Sequence, residues 1–249
     1  MRIVSRKGIF ITGTDTGVGK TVVAAAFVSV FRKAGLNAVP MKPIQTGCVR
    51  RGDQWAAPDL EFVARAAGLA VTPEDVNLMA PYRFGDACSP HLAAERAGAT
   101  IALARVDECF RLLEDRCDMV VVEGAGGVLA PVAGDQTMLD LMARLSLRVV
   151  LVSRPGLGTI NHTLLSLREM ARAGLQVLGV VINAAGPAEW SYVEEDNCRT
   201  IERLGQVSVL GRMPFLPGIG DGAFSPDGFH GRVARCLPAA GELIRLISN

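Results

Sequence analysis

Short apolar runs alternate with longer helical segments along most of the chain. The runs are apolar at consecutive positions rather than at alternate ones, which is typical of strands buried on both faces of a parallel sheet. They are GIFIT (8–12), MVVVEG (119–124), RVVLVS (Arg148–Ser153), QVLGVVIN (176–183) and VSVLGRM (207–213). NAVPMK (37–42) predicts another strand, although Pro40 interrupts it.

Helical patterns fall between these runs, and glycines such as Gly35, Gly68 and Gly174 mark several of their ends. The predicted helices cover 20–34, 59–67, 90–97, 104–115, 161–173, 188–204 and 233–248, whereas the Gly- and Pro-rich stretch 213–231 predicts a long loop. Strands that alternate with helices indicate an α/β fold. We therefore expect residues 1–249 to form one doubly wound domain of the P-loop NTPase type, with a mostly parallel sheet and helices on both faces. Ligands of such sheets bind beyond the carboxyl ends of the strands.

Composition narrows the class of protein. A formal net charge of +1 gives no electrostatic reason to expect nucleic acid or an anionic membrane as a partner. The six cysteines show neither C-x-x-C spacing nor His at zinc-site spacing, as in cytosolic proteins with reduced thiols. The sequence shows no signal peptide and no apolar run long enough to span a bilayer. We expect a cytoplasmic protein.

The stretch GTDTGVGKT (13–21) follows the first strand and opens the first helix. Strict phosphate-loop spacing requires a glycine at position 14, but Thr14 stands there and the glycine is Gly13. The physical requirements are nevertheless present, because the glycines let backbone N–H groups turn inward and the helix N-terminus attracts an anion. Lys20 can reach phosphate oxygens, and Thr21 offers a hydroxyl to Mg²⁺. The alternative is a Gly-rich turn with a solvated lysine, which the coincidence of strand, triplet and helix disfavours.

Three more loops carry polar groups toward the same end of the sheet. KPIQTG (42–47) projects Lys42 and Thr46 from the second strand, and VVVEGAGG (120–127) places Glu123 at a strand end before three glycines. Asp59 begins a helix, where it could simply be an N-cap. Together, Thr21, Asp59 and Glu123 would supply the oxygen ligands that Mg²⁺ prefers. His91 and His162 have no triad or metal spacing around them and are interpreted as structural.

In this order, GTDTGVGKT, KPIQTG, SPH, EGAGG and GTINH resemble the dethiobiotin synthetase family over about residues 8–216. The phosphate loop alone is not specific, but its combination with the other motifs is. Members of that family share the displaced glycine. The resemblance implies an ATP- and Mg²⁺-dependent cyclo-ligase that carboxylates 7,8-diaminononanoate with CO₂ and closes the ring to dethiobiotin. The implied intermediates are a carbamate and a carbamoyl-phosphate, and the other products are ADP and phosphate.

The resemblance also assigns roles by motif position. Lys42 and Lys20 match catalytic lysines, and Thr21, Asp59 and Glu123 match the metal ligands. The implied ATP-binding residues are Thr16, Gly17, Val18, Gly19, Lys20, Thr21, Asp59, Glu123, Gly124, Ala125, Gly126, Asn183, Pro214, Phe215 and Leu216, with Asn183 and 214–216 at the adenine. The implied substrate-binding residues are Thr46, Gly126, Gly127, Gly158, Thr159, Ile160 and Asn161.

The family forms homodimers, and the resemblance implies that the 158–161 helix start reaches the substrate carboxylate across the interface. Two features depart from the family. Gly17 stands where some members carry a glutamate, and the segment after Leu216 does not align.

Three other functions share the phosphate loop. The synthetase half of a cobyrinic-acid-type amidotransferase usually carries a glutaminase domain, and we expect no room for one after the predicted sheet. A partition-type ATPase switch usually has an additional early lysine, which GTDTG lacks. A small-metabolite kinase is opposed only by the substrate-side motifs.

Overall fold

The computed structural model describes residues 6–187, 190–219 and 224–238. Its strands are β1 (Gly8–Gly13), β2 (Ala38–Met41), β3 (Ile44–Gln45), β4 (Val49–Arg51), β5 (Gln54–Ala56), β6 (Tyr82–Arg83), β7 (Met119–Glu123), β8 (Pro131–Ala133), β9 (Gln136–Thr137), β10 (Arg148–Ser153), β11 (Val177–Asn183) and β12 (Val209–Met213). Its helices are α1 (Lys20–Lys33), α2 (Pro58–Ala66), α3 (Pro73–Met79), α4 (Pro90–Arg96), α5 (Leu103–Glu114), α6 (Met138–Leu145), α7 (Thr159–Arg172), α8 (Tyr192–Gly205) and α9 (Pro226–Val233).

Six strands form a parallel sheet in the order β12-β11-β10-β1-β7-β2, which confirms the predicted fold class. The strand β1 lies at the centre, between β10 and β7. Pro40 fits into β2 because this strand is at the edge of the sheet, where one side makes no ladder hydrogen bonds. Because β1 is central, the phosphate loop that follows it leaves the middle of the sheet.

Each face of the sheet is covered by its own layer of helices, because successive side chains of a strand point to opposite faces. Phe10 contributes to one core with α5, α6, α7 and α8, whereas Ile9 and Ile11 contribute to the other with α1, α2 and α9. All three side chains are fully buried. This double covering explains why the strands read as continuous apolar runs rather than as alternating ones.

The C-terminal part differs from the prediction. The stretch 213–231 contains a helix, α9, where a loop was predicted. Ser225 caps it by accepting a hydrogen bond from the Gly228 N–H at 3.1 Å, and Phe229 is fully buried. The prediction from composition was wrong here, because the tertiary burial of Phe229 and Val233 outweighs the low helix propensity of the glycines.

Two other predicted helices begin at different positions. The predicted helix 233–248 is wrong at its start, where α9 ends and a 3₁₀ turn covers Ala234–Cys236; its residues from 239 onward lie outside the described residues. The predicted helix 188–204 starts at Tyr192, after the capping box that Ser191 forms with Glu194. Positions 188 and 189 lie outside the described residues. The helices α3 and α6 were not predicted.

Candidate active site

The phosphate loop connects β1 to α1 and is held open by two left-handed glycines. Gly17 has φ +76° and Gly19 has φ +92°, values that favour glycine over any residue with a Cβ. Thr14 is not among the residues with positive φ, and its N–H donates to the Val152 carbonyl at 2.9 Å. The displaced glycine therefore causes no strain at Thr14, because ordinary backbone geometry continues there from β1.

Asn183 closes the loop from the side. Its Nδ2 donates to the Val18 carbonyl at 2.8 Å, and the residue is only 3% exposed at the end of β11. A Cβ placed on Gly19 would lie 2.0 Å from this Nδ2, so Gly19 is required by packing as well as by its φ. One end of the Asn183 amide is thus bound to the loop, which leaves Oδ1 as the atom able to accept a hydrogen bond from a ligand.

Two lysines point into the same region. The ammonium of Lys20 donates to the Asp15 carbonyl at 2.8 Å, within the loop. The ammonium of Lys42 lies 2.6 Å from Glu123 Oε1 and 2.7 Å from Asp59 Oδ2, and 3.3 Å from the Gly124 carbonyl. Glu123 Oε1 also accepts a hydrogen bond from the Thr21 hydroxyl at 2.8 Å. This arrangement links α1, the end of β2, β7 and α2 through one charged cluster.

The environments of the two lysines differ. Burial and the nearby Lys42 ammonium lower the pKa of Lys20 to about 8. Burial also opposes the charged form of Lys42, but Glu123 and Asp59 outweigh that effect and raise the pKa of Lys42 above its ordinary value. Lys42 is therefore a permanent buried cation, whereas Lys20 in the ligand-free protein loses its proton in mildly alkaline solution.

A cleft of about 800 Å³ opens beside the cluster. Of the residues predicted for the site, it is lined by Thr16, Gly17, Gly19, Lys20, Thr21, Lys42, Thr46, Asp59, Glu123, Ala125, Gly126, Asn183, Pro214, Phe215 and Leu216. Val18 is buried under the loop and is 4% exposed, and Gly127 packs beside the Thr14 and Gly13 carbonyls. Neither Gly124 nor Gly127 lines the cleft. Residues from separate loops thus converge on one cavity.

The predicted residues 158–161 do not line this cleft. They begin α7 after β10, and a buried group of hydroxyls fixes this start: Ser153 Oγ lies 2.8 Å from Thr159 Oγ1 and 2.5 Å from Thr163 Oγ1. Leu157, just before the helix, is 84% exposed. Within a single chain, this helix start is separate from the charged cluster.

Neither histidine of the two predicted helix starts lines the cleft. His91 Nδ1 is buried without a hydrogen-bond partner in the part of the chain that the structure describes. His162 Nδ1 lies 3.4 Å from an Arg154 nitrogen. Their interpretation as structural residues stays a prediction.

The oxygen groups of the cluster fit a hard cation. Among residues 6–187, 190–219 and 224–238, no three His, Cys, Asp or Glu side chains form a metal-binding group. A Mg²⁺ bound with a nucleotide does not need one, because phosphate oxygens and water complete its coordination. The Thr21 hydroxyl and the Glu123 and Asp59 carboxylates offer only oxygen donors around one side of Lys42.

Several residues that line the cleft were not predicted from the sequence. Glu61, Phe62 and Arg65 of α2 line it, as does Ile219. Gln45, within the KPIQTG motif, also lines the cleft and contacts Asp59, but it was not predicted as a site residue. A cue was available for α2, since Asp59 and Phe62 are three positions apart and lie on one helix face.

Comparison with known proteins places the chain among enzymes. A family model described as an AAA domain matches residues 7–222. An ATP-dependent dethiobiotin synthetase of Anaeromyxobacter dehalogenans strain 2CP-1 is 45% identical over 213 residues, 86% of this chain and 92% of the relative. An ATP-dependent dethiobiotin synthetase of Bacillus cereus is 38% identical over 211 residues, 85% of this chain and 84% of the relative.

Solved structures agree on the fold. The MinD cell division protein of Aquifex aeolicus superposes with a TM-score of 0.61 at 13% identity, covering 96% of this chain and 97% of that one. A ParA family ATPase of Chlorobium tepidum gives a TM-score of 0.54 at 14% identity, covering 98% of both chains. At these identities the likeness concerns the fold alone. Within the described residues, no helix combines the length and apolar character needed to cross a bilayer.

Proposed function

The chain belongs to the dethiobiotin synthetase family, and on that premise we propose that it is an ATP-dependent cyclo-ligase of biotin biosynthesis that makes dethiobiotin. The 45% identity to a dethiobiotin synthetase over 86% of the chain carries this proposal. Its proposed substrates are 7,8-diaminononanoate, CO₂ and ATP, and its products are dethiobiotin, ADP and phosphate.

The proposed reaction has three steps. One amine of the substrate attacks CO₂ and loses a proton, which gives a carbamate. A carbamate oxygen then attacks the γ-phosphorus of ATP and ADP leaves, which gives a carbamoyl-phosphate. The second amine attacks the carbamoyl carbon and loses a proton, phosphate leaves as the C–O bond breaks, and the cyclic urea closes. No covalent bond to the enzyme is required, so the protein acts by positioning and by electrostatic stabilisation.

Lys20 and Lys42 suit such a reaction because every intermediate is anionic. Lys20 lies 2.8 Å from a loop carbonyl, a weak neutral partner that it can exchange for phosphate oxygens. Lys42 is held between two carboxylates at the end of β2, so its charge is preorganised before the substrate arrives. We assign Lys42 to the carbamate and the transferring phosphoryl group, and the Thr46 hydroxyl and the Gly126 backbone to the substrate.

Thr21, Asp59 and Glu123 would hold Mg²⁺ beside the nucleotide. The ion would neutralise the charge of the phosphates while phosphoryl transfer proceeds. Thr21 and Glu123 are already 2.8 Å apart, and the Asp59 side chain is 32% exposed toward the cleft. Through this ion, the three side chains would orient the phosphates relative to the two lysines.

Asn183 and residues 214–216 would form the adenine side of the site. The Asn183 Oδ1 can accept a hydrogen bond from an exocyclic amino group, because Nδ2 is bound to the Val18 carbonyl. Phe215 is 38% exposed at the cleft and offers an apolar surface to a base.

We further propose a cytoplasmic homodimer without nucleic-acid or membrane partners. The 158–161 helix start has N–H groups suited to the substrate carboxylate but lies outside the cleft of its own chain. Leu157, just before this helix start, is 84% exposed, and Leu165 of α7 is 58% exposed. A second copy that covers these leucines would bring its own helix start to the substrate.

The test of function is direct. The protein is incubated with ATP, Mg²⁺, bicarbonate and diaminononanoate, and dethiobiotin is measured by mass spectrometry together with ADP. We expect one ADP for each dethiobiotin. Omission of the diamine is the control, and ADP release that ignores the diamine, or that requires DNA, contradicts the proposal and favours an ATPase switch.

A further inference from the structure

Gln45 binds Asp59 at two points. Its Nε2 donates to Asp59 Oδ2 at 3.2 Å, and its Oε1 accepts from the Asp59 backbone N–H at 3.2 Å. The second amide hydrogen of Gln45 is used as well, since Nε2 also donates to the Thr46 carbonyl at 3.0 Å. Gln45 is 4% exposed and its backbone is fixed by the pairing of β3 with β6. A rigid, buried side chain therefore clamps the first turn of α2.

The clamp determines which Asp59 oxygen faces which partner. Oδ2 receives both the Gln45 amide and the Lys42 ammonium, the latter at 2.7 Å. The remaining oxygen, Oδ1, is left for the cleft, which Asp59 lines. Without Gln45, the carboxylate would rotate about its terminal torsion, which has a broad energy profile.

Gln45 also compensates for a missing helix cap. Ala57 precedes α2 and has no side-chain acceptor, so the first N–H groups of the helix lack their usual local partner. The Gln45 Oε1 supplies an acceptor to Asp59 from another segment. Position and orientation of Asp59 are therefore both set by one side chain that is 14 residues away in sequence.

We propose that Gln45 is a positioning residue that orients Asp59, so that Oδ2 neutralises Lys42 while Oδ1 stays available to the cation bound with the nucleotide. This inference rests on the proposed function for the nucleotide and its cation, and it does not depend on the identity of the substrate. Partners that orient a metal ligand typically contribute about 10- to 100-fold to metal affinity or activity. Gln45 also donates to the Thr46 carbonyl, so the proposal requires that its effect on the cation pass through Asp59, and this requirement separates it from a merely structural effect.

A double-mutant cycle tests this. Gln45→Leu, Asp59→Asn and the double variant are compared for ADP affinity by calorimetry, with Mg²⁺ and with EDTA, and for kcat. We expect Gln45→Leu to weaken Mg²⁺-dependent ADP binding about tenfold and to leave binding in EDTA unchanged. In the Asp59→Asn background the same change should have no further effect. Gln54→Leu, in the exposed strand β5, is the matched control and should leave both affinities unchanged.

Equal losses in both backgrounds, or equal losses with Mg²⁺ and with EDTA, would overturn the proposal, because separate effects add. Gln45→Glu is the second variant: it keeps the acceptor for the Asp59 N–H but replaces the amide donor. We expect it to fold and to show the same Mg²⁺-specific loss. If neither variant folds, Gln45 is structural and the proposal is wrong. Dethiobiotin formation by the unmodified protein is measured in parallel. If the unmodified protein forms no dethiobiotin but the double-mutant cycle of ADP binding still shows coupling between Gln45 and Asp59, the proposed function is refuted and the role of Gln45 stands.

Discussion

The Lys42 ammonium lies 2.6 Å from Glu123 Oε1 inside the protein, with side-chain exposures of 7% and 4%. These residues are 81 positions apart, and each stands at the carboxyl end of its strand. Because β2 and β7 are neighbours in the sheet, the pair forms where the two strands end. Removing either charge would leave the other buried without its main partner.

Replacement of Lys42 by methionine should therefore affect both stability and turnover. We expect kcat to fall at least about 10²- to 10³-fold, as for the loss of one preorganised group, while ATP binding through the phosphate loop persists. Loss of one partner of a buried pair also costs about 3–5 kcal/mol of unfolding free energy. Rate assays and urea denaturation measure the two effects.

The matched control is Lys33→Met, since Lys33 pairs with Asp227 at an exposed site. It should change stability by less than about 0.5 kcal/mol. Adding Glu123→Gln to Lys42→Met should restore part of the stability but none of the turnover. Turnover by Lys42→Met close to that of the unmodified protein would contradict the assignment of Lys42.

ATP affinity should depend on pH through Lys20. The free protein loses the Lys20 proton as pH rises through about 8, whereas bound phosphates hold that proton. The dissociation constant should be constant below pH 8 and rise above it, by up to about tenfold per pH unit. Calorimetric titration from pH 7 to 9.5 measures this. Lys20→Arg should give a flat profile, because a guanidinium does not titrate in this range; a flat profile for the unmodified protein would refute the prediction.

Asn183→Ala should weaken binding of both the base and the phosphates. The variant loses the hydrogen bond from Nδ2 to the Val18 carbonyl, so the loop around Gly19 loses its lateral support. We expect a drop in affinity for ATP and a smaller drop for inorganic triphosphate, which has no base. Unchanged triphosphate binding would show that Asn183 acts on the base alone. Asn197→Ala, which removes a buried hydrogen bond to the Pro155 carbonyl, is the control.

Leu157→Glu should give a monomer if a second copy covers the exposed leucines. Leu157 is 84% exposed in one chain, so the change should not harm the fold of that chain. Light scattering after gel filtration measures the mass, and thermal unfolding reports on the fold. We expect KM for the diamine to rise in this variant, since the helix start 158–161 would come from the partner. Leu204→Glu, at an exposed site in α8, is the control. A monomeric unmodified protein would contradict the proposed dimer.

The strands of the parallel sheet and the phosphate loop could be predicted from the amino-acid sequence. Continuous apolar runs indicate β1, β7, β10 and β11, because both faces of these strands are buried. Burial on both faces requires an apolar residue at each position of the run, so it is visible in the local sequence. The displaced glycine of the loop could be judged in the same way, since its requirements are a strand, a turn and a helix start. The same patterns identified Lys42, Asp59 and Glu123 as polar groups at element ends.

The contacts between these groups could not be predicted from the sequence, because they depend on the order of the strands. The order of strands places β1 between β10 and β7, and that order brings Thr21 to Glu123 and Glu123 to Lys42. Local periodicity does not encode strand order, because neighbouring strands are chosen by long-range packing. For the same reason, the sequence did not predict that Gln45 binds Asp59 or that Phe229 is buried, because both contacts join separate segments of the chain. Composition predicted a loop around Phe229, but the favourable free energy of burying Phe229 stabilises a helix there.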